Sequence, residues 1–148
     1  MPVNPELLGR TFPPTAPYLV GREKVREFAR AVFADDPQHT DPEVARSLGY
    51  ADVVAPPTFA IIMQELTLQQ LLAEPGSGIV LSHVLHAEQR FAYARPIVAG
   101  DELTAALTVT GLRTIGGNAM VTSEAAITDA AGAHVVTATS ILVVGEGE

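Results

Sequence analysis

The chain of 148 residues carries nine Lys and Arg against 17 Asp and Glu, which gives a formal net charge of −8 at neutral pH. This acidic balance makes nucleic acid and anionic membranes poor partners. Hydrophobic residues form 47% of the chain, enough for a core of its own. Because cysteine is absent, disulfides, thiol nucleophiles and thiolate metal sites are excluded.

The N-terminal part of the chain predicts a soluble cytoplasmic protein. Its first ten residues lack the basic and then apolar pattern of a signal peptide. The longest apolar stretch, around Val53 to Met63, is broken by two prolines and is too short to span a bilayer. We therefore expect neither a targeting segment nor a membrane span.

One short strand and two helices are predicted before residue 50. Residues 16–20 favour the strand. Residues 21–33 favour the first helix, because apolar side chains recur at i, i+3, i+4, i+7 and i+8, the spacing of one helix face. The side chains on this face are Val25, Phe28, Ala29, Val32 and Phe33. For the second helix, Asp41 can cap the N-terminus, Pro42 suits the first position and Gly49 suits the end.

A longer helix is predicted from about Pro57 to Ala73. Its apolar side chains cover most of its circumference, so we expect it to be buried nearly all round. These side chains are Phe59, Ile61, Ile62, Met63, Leu66, Leu68, Leu71 and Leu72.

From about Gly78 onward the apolar period changes to two, which predicts β-strands. Segments 102–112, 118–128 and 134–144 show this period, and residues 79–97 supply one or two further strands before them. The clearest apolar series is Leu103, Ala105, Leu107 and Val109.

The glycine-containing breaks at 99–102, 115–118 and 129–133 are typical of hairpin turns. We therefore predict an α+β fold in which a curved antiparallel sheet wraps around one long buried helix. Such a sheet leaves an edge strand open, so we expect a dimer that covers this edge.

Two stretches resemble the MaoC-like (R)-hydratase/dehydratase group of the hot-dog fold. They are "DDPQHTDPEVARSLGYADVVAPPTF" and "EQRFAYARPIVAGDELTAALTV", and the second matches the sheet segment that reads roughly Phe-x-x-Pro-x-x-x-Gly-Asp-x-Leu in this family. The resemblance covers nearly the whole chain and is closest to the A- and C-type subunits of mycobacterial (3R)-hydroxyacyl-ACP dehydratases, which pair with a separate catalytic MaoC subunit. It implies a single hot-dog domain over residues 1–148, reversible hydration of a trans-2-enoyl thioester, and no cofactor.

Enzymes of this group use an aspartate and a histidine five positions apart in the motif Gly-Asp-x-Asn-Pro-x-His. Two bases of different pKa can divide the proton transfers between them. In this chain His39 and Pro37 match the motif and Asp36 stands at its asparagine. Ala34 stands at its aspartate and can transfer no proton. Asp36, or the neighbouring Asp35, replaces the lost carboxylate only if the loop shifts.

The group also uses a backbone N–H at the start of the long helix to stabilise the charge on the thioester oxygen. Here the family's His-Gly pair aligns with Pro56-Pro57, and proline has no N–H. The N–H groups of Thr58 and Phe59 remain as candidate donors.

The candidate site residues therefore fall into two groups. The candidate catalytic residues are Asp36 and His39. The candidate substrate-binding residues are Thr58, Phe59, Ile62, Met63 and Gln89. Simpler interpretations stay open at this point, because His39 also suits a partly exposed loop and Asp36 also suits a turn in which it accepts backbone N–H bonds. Gly100-Asp101 suits a hairpin turn, and Gln89 suits a bridge between strands.

The remaining histidines do not predict a metal site. His83 and His86 are three residues apart in an apparent strand, which would place them on opposite faces. His134 begins a strand after a glycine turn and is expected to be solvated. We therefore expect no bound metal.

Four functional hypotheses follow. The first is the substrate-holding subunit of a (3R)-3-hydroxyacyl-thioester dehydratase, which acts on acyl-CoA or acyl-ACP in a heterodimer with a catalytic MaoC-type subunit. The second is a self-sufficient homodimeric hydratase that uses Asp36 and His39. The third is a non-catalytic protein that binds acyl thioesters. The fourth is a thioesterase, for which Glu65 is the one clear carboxylate on the long helix.

Overall fold

The computed structural model describes residues 3–146 and contains three α-helices and five β-strands in that range. The helices are α1 (Arg22–Ala31), α2 (Pro42–Ser47) and α3 (Ile61–Ala73). The strands are β1 (Tyr18–Leu19), β2 (Val84–Tyr93), β3 (Glu102–Ile115), β4 (Asn118–Thr128) and β5 (His134–Val144). Short 3-10 turns cover Pro5–Leu7, Pro37–His39 and Leu81–His83. No helix in the described range is both long and apolar enough to cross a membrane.

The strands form one antiparallel sheet in the order β1-β3-β4-β5-β2. The predicted hairpin turns at Gly116-Gly117 and at Gly132 are confirmed, because they join β3 to β4 and β4 to β5. The third predicted hairpin is wrong, since β2 pairs with β5 and not with β3. Gly100, with φ of 97°, lies in the connection that crosses from β2 to β3. A glycine indicates a left-handed backbone but does not indicate which strands it connects.

The core lies between the sheet and α3. The predicted alternation along β3 is confirmed, because Leu103, Ala105, Leu107 and Val109 are all buried. On the helix side, the buried apolar residues are Met63, Leu68 and Leu71, and α3 packs against β3 and β4. A curved antiparallel sheet around one central helix is the hot-dog fold, and the predicted α+β fold class is thereby confirmed.

The α3 helix begins at Ile61, four residues later than predicted. Four N–H groups within residues 59–63 bond to the carbonyl oxygen three residues earlier, as in Phe59 to Pro56 at 2.9 Å and Met63 to Ala60 at 3.1 Å. This tighter turn replaces the first turn of the predicted helix. The helix is also not buried all round, because Glu65 and Gln69 are exposed.

The predicted apolar face of the first helix is correct over its first part only. Val25 and Ala29 are buried, whereas the side chains of Val32 and Phe33 are 43% and 85% exposed. The helix α1 ends at Ala31, and Phe33 has φ of 58°. The left-handed backbone at residue 33 turns the chain away from the helix axis, so the helical spacing no longer applies there.

The two edges of the sheet differ. Residues 9–15 run beside β3 and bond to it, for example from the Phe12 N–H to the Leu107 oxygen at 2.8 Å and from the Thr15 N–H to the Ala105 oxygen at 2.9 Å. At the opposite edge, β2 bonds to β5 on one side, and no described strand lies beyond it. An open edge is therefore present at β2, as predicted, while the dimer itself stays a prediction.

Candidate active site

The side chain of His39 is held by the segment that precedes α3. It ends the 3-10 turn Pro37–His39 and is only 7% exposed, so the interpretation as a partly exposed loop histidine is wrong. Its Nδ1–H donates to the Val54 carbonyl oxygen at 2.6 Å, and the Val54 N–H donates to the Gln38 carbonyl oxygen at 3.0 Å. Because Nδ1 carries the proton, the neutral ring keeps a lone pair on Nε2 that can accept one.

His39 opens onto a cavity of about 480 Å³, called the His39 cavity below. The cavity forms where the 3-10 turn, the segment before α3 and the end of β2 meet. Its lining residues are Asp36, Gln38, His39, Val54, Ala55, Pro57, Tyr93, Ala94, Arg95 and Pro96. A concave site with a few convergent polar groups is the usual form of a small-molecule site.

No carboxylate next to His39 is fixed in position. The half-buried Ala34 occupies the place five residues before His39. Asp36 lines the His39 cavity, but its side chain is exposed and has no hydrogen-bond or ion-pair partner within residues 3–146. The interpretation that it accepts backbone N–H bonds is therefore wrong. Asp36 and His39 thus share one cavity, but only His39 is oriented by the protein.

The turn before α3 offers fewer backbone donors than predicted. Pro56 and Pro57 have no N–H, and the Phe59 N–H is used by the Pro56 carbonyl oxygen. The prediction that Phe59 supplies a free donor is therefore wrong. Thr58 is exposed, and its N–H makes no hydrogen bond among the described residues, so it remains a candidate donor.

Tyr93 connects the end of β2 to this turn. Its hydroxyl donates to the Pro57 carbonyl oxygen at 2.6 Å. Burial raises the pKa of Tyr93 to about 12, so the hydroxyl stays protonated and can donate at neutral pH. Tyr93 stands where the family pattern has phenylalanine, which could not form this bond.

Arg95 lies on the wall of the His39 cavity, where two carboxylates hold it. Its guanidinium donates to both carboxylate oxygens of Asp101, at 2.8 and 3.1 Å, and to Asp129 at 3.2 Å. The hydrogen bonds that Arg95 donates to Asp101 raise the pKa of Arg95 further. Asp101 also accepts the Val98 N–H at 2.9 Å. The Gly100-Asp101 pair is therefore not a simple hairpin turn, because it positions an arginine at the site.

A second cavity, of about 580 Å³, lies between α1, the start of α3 and β2, and is called the Phe28 cavity below. Most of its wall is apolar, which suits the hydrocarbon part of a ligand. Its lining residues are Phe28, Val32, Thr58, Ile61, His86, Ala87, Glu88, Gln89 and Phe91.

Gln89 connects β2 to α3 through a chain of hydrogen bonds. Its Nε2 donates to Oε1 of Gln64, and its Oε1 accepts from His86 Nε2 at 3.0 Å. Gln64 is fully buried and donates to the Ala138 carbonyl oxygen at 3.1 Å. The direct partner of Gln89 is thus the helix, and not a neighbouring strand. These bonds satisfy the polar atoms of a residue in a largely apolar wall.

The other predicted substrate-binding residues lie in the core or beside it. Phe59 and Met63 are fully buried, and Ile62 is half-buried against the core. The ring of Phe59 meets the ring of Phe28 edge to face at a centroid distance of 5.3 Å. Phe59 therefore lies one side chain behind the wall of the Phe28 cavity, and contact of these residues with a substrate stays a prediction.

The remaining histidines lie apart from each other. His83 belongs to the 3-10 turn before β2 and not to a strand, so the premise that it shares a strand with His86 is wrong. His134 is exposed at the start of β5, as predicted. Across residues 3–146, no three side chains are grouped in a way that could hold a metal ion.

Sequence reasoning missed two residues of the His39 cavity, Tyr93 and Arg95. Both stand in the stretch "FAYARPIVAGD", in which the family pattern and the strand signal assign no role to either side chain. The replacement of the pattern's phenylalanine by Tyr93 was a visible signal, because a buried tyrosine hydroxyl needs a partner.

Comparison with known proteins gives matches over nearly the whole chain. The family model of the FAS1-like dehydratase domain region matches residues 6–138. A UPF0336 protein of Clavibacter michiganensis subsp. michiganensis is 67% identical over 144 residues, which are 97% of each chain.

Two solved structures are similar to this chain in fold and in sequence. A MaoC-like dehydratase superposes with a TM-score of 0.84 at 38% identity, over 95% of this chain and 42% of that chain. A chain of the C-terminally truncated HadBC (3R-hydroxyacyl-ACP dehydratase) complex from Mycobacterium tuberculosis superposes with a TM-score of 0.81 at 31% identity. This match covers 93% of this chain and 96% of that chain.

Proposed function

The chain belongs to the FAS1-like dehydratase family, and on this premise we propose that it is the substrate-holding subunit of a (3R)-3-hydroxyacyl-thioester dehydratase. Its partner would be a second MaoC-like chain with an intact Gly-Asp-x-Asn-Pro-x-His motif, called the motif-bearing subunit below. The acyl group would arrive on CoA or on an acyl carrier protein. Residues 1–148 would act as one hot-dog domain in the cytoplasm.

The reaction requires three groups in fixed positions. A base takes the proton from C2 of the 3-hydroxyacyl thioester, and the negative charge moves onto the thioester oxygen. The bond from C3 to the hydroxyl oxygen then breaks, the leaving hydroxyl takes up a proton, and the products are water and the trans-2-enoyl thioester. A base, a proton donor and a donor for the thioester oxygen are therefore needed.

One observation carries the proposal: the His39 cavity contains an oriented base, whereas the motif positions of the other two groups are occupied by residues that cannot supply them. His39 is buried with Nε2 available. Ala34 stands where the motif has its carboxylate, and Pro57 stands where a glycine N–H would face the thioester oxygen. A site with one of three groups in place favours a chain that holds the substrate while another chain supplies the chemistry.

Further support comes from the second cavity and from the relatives. The Phe28 cavity has the volume and the apolar wall that an acyl chain requires. The 31% identical structure is part of a HadBC complex described as a 3R-hydroxyacyl-ACP dehydratase. In the 38% identical MaoC-like dehydratase, this chain matches only 42% of the length, which leaves room for a second domain of similar size within one polypeptide.

The test measures hydration of trans-2-enoyl-CoA substrates of several chain lengths, followed by loss of the conjugated enoyl-thioester absorbance. The wild-type chain is assayed alone and after co-expression with the motif-bearing subunit. We expect turnover only with the partner. We also expect that turnover to survive His39→Gln and Asp36→Asn in this chain, since the partner's own motif transfers the protons.

A self-sufficient hydratase is the second candidate, because Asp36 and His39 line the same cavity. In that case the wild-type chain alone would hydrate the substrates, and either His39→Gln or Asp36→Asn would abolish the activity. Such a result would refute the subunit proposal. Tight acyl-CoA binding without turnover, alone and with the partner, would also refute it and would indicate a binding protein.

A further inference from the structure

Phe33 has a backbone conformation that favours glycine and a side chain that contacts almost nothing in this chain. Its φ is 58°, and its side chain is 85% exposed. It follows the C-terminus of α1, where the Ala34 N–H bonds to the Ala29 oxygen at 2.8 Å and the Phe33 N–H bonds to the Arg30 oxygen at 3.3 Å. These two bonds form the Schellman motif that ends many helices, and the residue at the position of Phe33 is usually glycine.

A phenylalanine at this position is energetically unfavourable for two reasons. The left-handed backbone conformation is strained for a residue with a bulky side chain, and an exposed aromatic ring loses the free energy that burial would supply. The family motif Gly-Asp-x-Asn-Pro-x-His has glycine here, whereas this chain has Phe33 followed by Ala34. Within residues 3–146 the exposed ring gains little from contacts that could offset these costs, and this favours an offset from a contact with another molecule.

The surroundings of Phe33 form a surface that suits another protein chain. The adjacent Val32 is 43% exposed and lines the Phe28 cavity together with residues 86–89 and 91 of β2. The outer edge of β2 has no strand beside it in the described structure. Two exposed carboxylates, Asp35 and Asp36, follow Phe33, and neither has an ion-pair partner within residues 3–146. The surface thus combines an aromatic ring, a free strand edge and negative charge.

We propose that Phe33 is the anchor residue with which this chain binds the motif-bearing subunit. Its ring enters an apolar pocket of that subunit, an edge strand of the subunit pairs with β2, and basic side chains of the subunit face Asp35 and Asp36. An aromatic side chain that is buried at the centre of an interface is the kind of residue that carries most of the binding free energy. This inference rests on the proposed function, because it names the surface through which the proposed partner binds.

A second copy of this chain is the less favourable occupant. Each copy carries a net charge of −8, and a symmetric contact through this surface would bring two pairs of unpaired carboxylates together. A partner with basic groups beside its apolar pocket removes this repulsion. A second copy would also bring another Ala34 and therefore no carboxylate for the reaction.

The test compares Phe33→Gly with the wild type. Glycine accepts the left-handed backbone without strain, so the isolated variant should unfold at the same temperature as the wild type or at a higher one. We expect its Kd for the purified motif-bearing subunit, measured by isothermal titration calorimetry, to rise by about thirtyfold or more. The matched control is Leu19→Ala, because Leu19 is 67% exposed but lies in β1 at the opposite edge of the sheet, and its Kd should stay within about twofold of the wild type.

The possible outcomes separate this inference from the proposed function. Weaker binding of Phe33→Gly at undiminished thermal stability, with an unaffected control, supports the anchor. Wild-type affinity of Phe33→Gly, while turnover still requires the partner, overturns the anchor and leaves the proposed function standing. If the wild type forms a homodimer that Phe33→Gly dissociates, and the motif-bearing subunit does not bind, the occupant is a second copy and the inference is wrong.

Discussion

Replacement of Asp52 by asparagine should destabilise the protein in a way that depends on pH. Asp52 accepts two hydrogen bonds from the Arg22 guanidinium, at 3.0 and 2.7 Å, lies 3.8 Å from the guanidinium of Arg46, and accepts the Val53 N–H at 2.7 Å. It thereby connects the start of α1, the helix α2 and the segment in which Val54, two residues further on, orients His39. Asparagine keeps the size of the side chain and removes its charge.

The expected magnitude follows from the pKa of Asp52, which the hydrogen bond from Arg22 lowers from 3.8 to about 2. A difference of this size corresponds to at most about 2.4 kcal/mol of folding free energy. Solvent screens the pair, because the Arg22 side chain is 43% exposed. We therefore expect Asp52→Asn to lower the free energy of unfolding by about 1–1.5 kcal/mol at pH 7.

The sign of the pH dependence follows from the direction of the shift. Because the pKa of Asp52 is lower in the folded state, the contribution of its charge to the free energy of unfolding is complete well above pH 3.8. This contribution is lost as the pH falls through about 2. Urea unfolding of the wild type and of Asp52→Asn at pH 7 and pH 3 measures this contribution as the difference in free energy of unfolding between the two proteins. We expect the difference between the two proteins at pH 3 to be about half of the difference at pH 7.

A matched control is available in α2. Arg46 also pairs with Glu43, whose side chain is 83% exposed, so Glu43→Gln should cost less than about 0.5 kcal/mol at either pH. An equal loss at pH 7 and pH 3 for Asp52→Asn would refute the reasoning, because the effect would then not arise from the charge. A loss at pH 7 no larger than that of Glu43→Gln would refute it as well.

Three further substitutions test the packing around the two cavities by urea unfolding. Tyr93→Phe removes the donor to the Pro57 oxygen and should lower the free energy of unfolding by about 1 kcal/mol; an unchanged midpoint would contradict the importance of this bond. Gly100→Ala should lower the free energy of unfolding by about 1–2 kcal/mol through backbone strain alone, because φ is 97° and no atom lies within 4 Å of the added carbon. The control Gly21→Ala has equally open space but a φ of −88°, so it should not lower the free energy of unfolding in this way. Gln64→Leu removes the acceptor of one Gln89 hydrogen bond and the donor to a β5 carbonyl group and should cost about 1–3 kcal/mol; a stabilised variant would show that these hydrogen bonds are dispensable.

Much of the fold could be predicted because its signals are local. The alternation from Leu103 to Val109 and the apolar series of α3 each lie within one segment of about a dozen residues, and each has the period of its element. Which strands the turn at Gly100 connects could not be predicted in the same way, because strand pairing depends on contacts between distant parts of the chain. The prediction that Phe33 lies on the buried face of the helix is wrong for a related reason. The apolar spacing continues past the end of α1, whereas the hydrogen bonds that end the helix change the direction of the chain.

The candidate site also combines a feature that is local in the sequence with contacts between distant residues. The motif spacing identified His39, and the structure supplies what spacing cannot, namely the bond to Val54 that fixes its tautomer. Tyr93 acts on a carbonyl group 36 residues away in the sequence, and Arg95 needs Asp129 as well as the nearby Asp101. Contacts between such distant residues leave no periodic signal, so a single sequence does not reveal them.

The loop that carries His39 is held at both of its ends, and this argues against repair of the site from within the chain. At one end the Ala34 N–H bonds to the last turn of α1, and at the other the turn of His39 is bonded to Val54 in both directions. A shift that moved Asp36 into the place of Ala34 would have to break these bonds, and the Asp36 side chain makes no hydrogen bond within residues 3–146 that would offset their loss. The chain therefore departs from the family motif in the side chain at residue 34 and not in the backbone of the loop. The loop keeps a left-handed backbone at Phe33, where the motif has glycine, and an oriented base at His39. A loop that preserves this geometry but has Ala34 at the motif's carboxylate position supports the proposal that the second proton-transfer group comes from another chain.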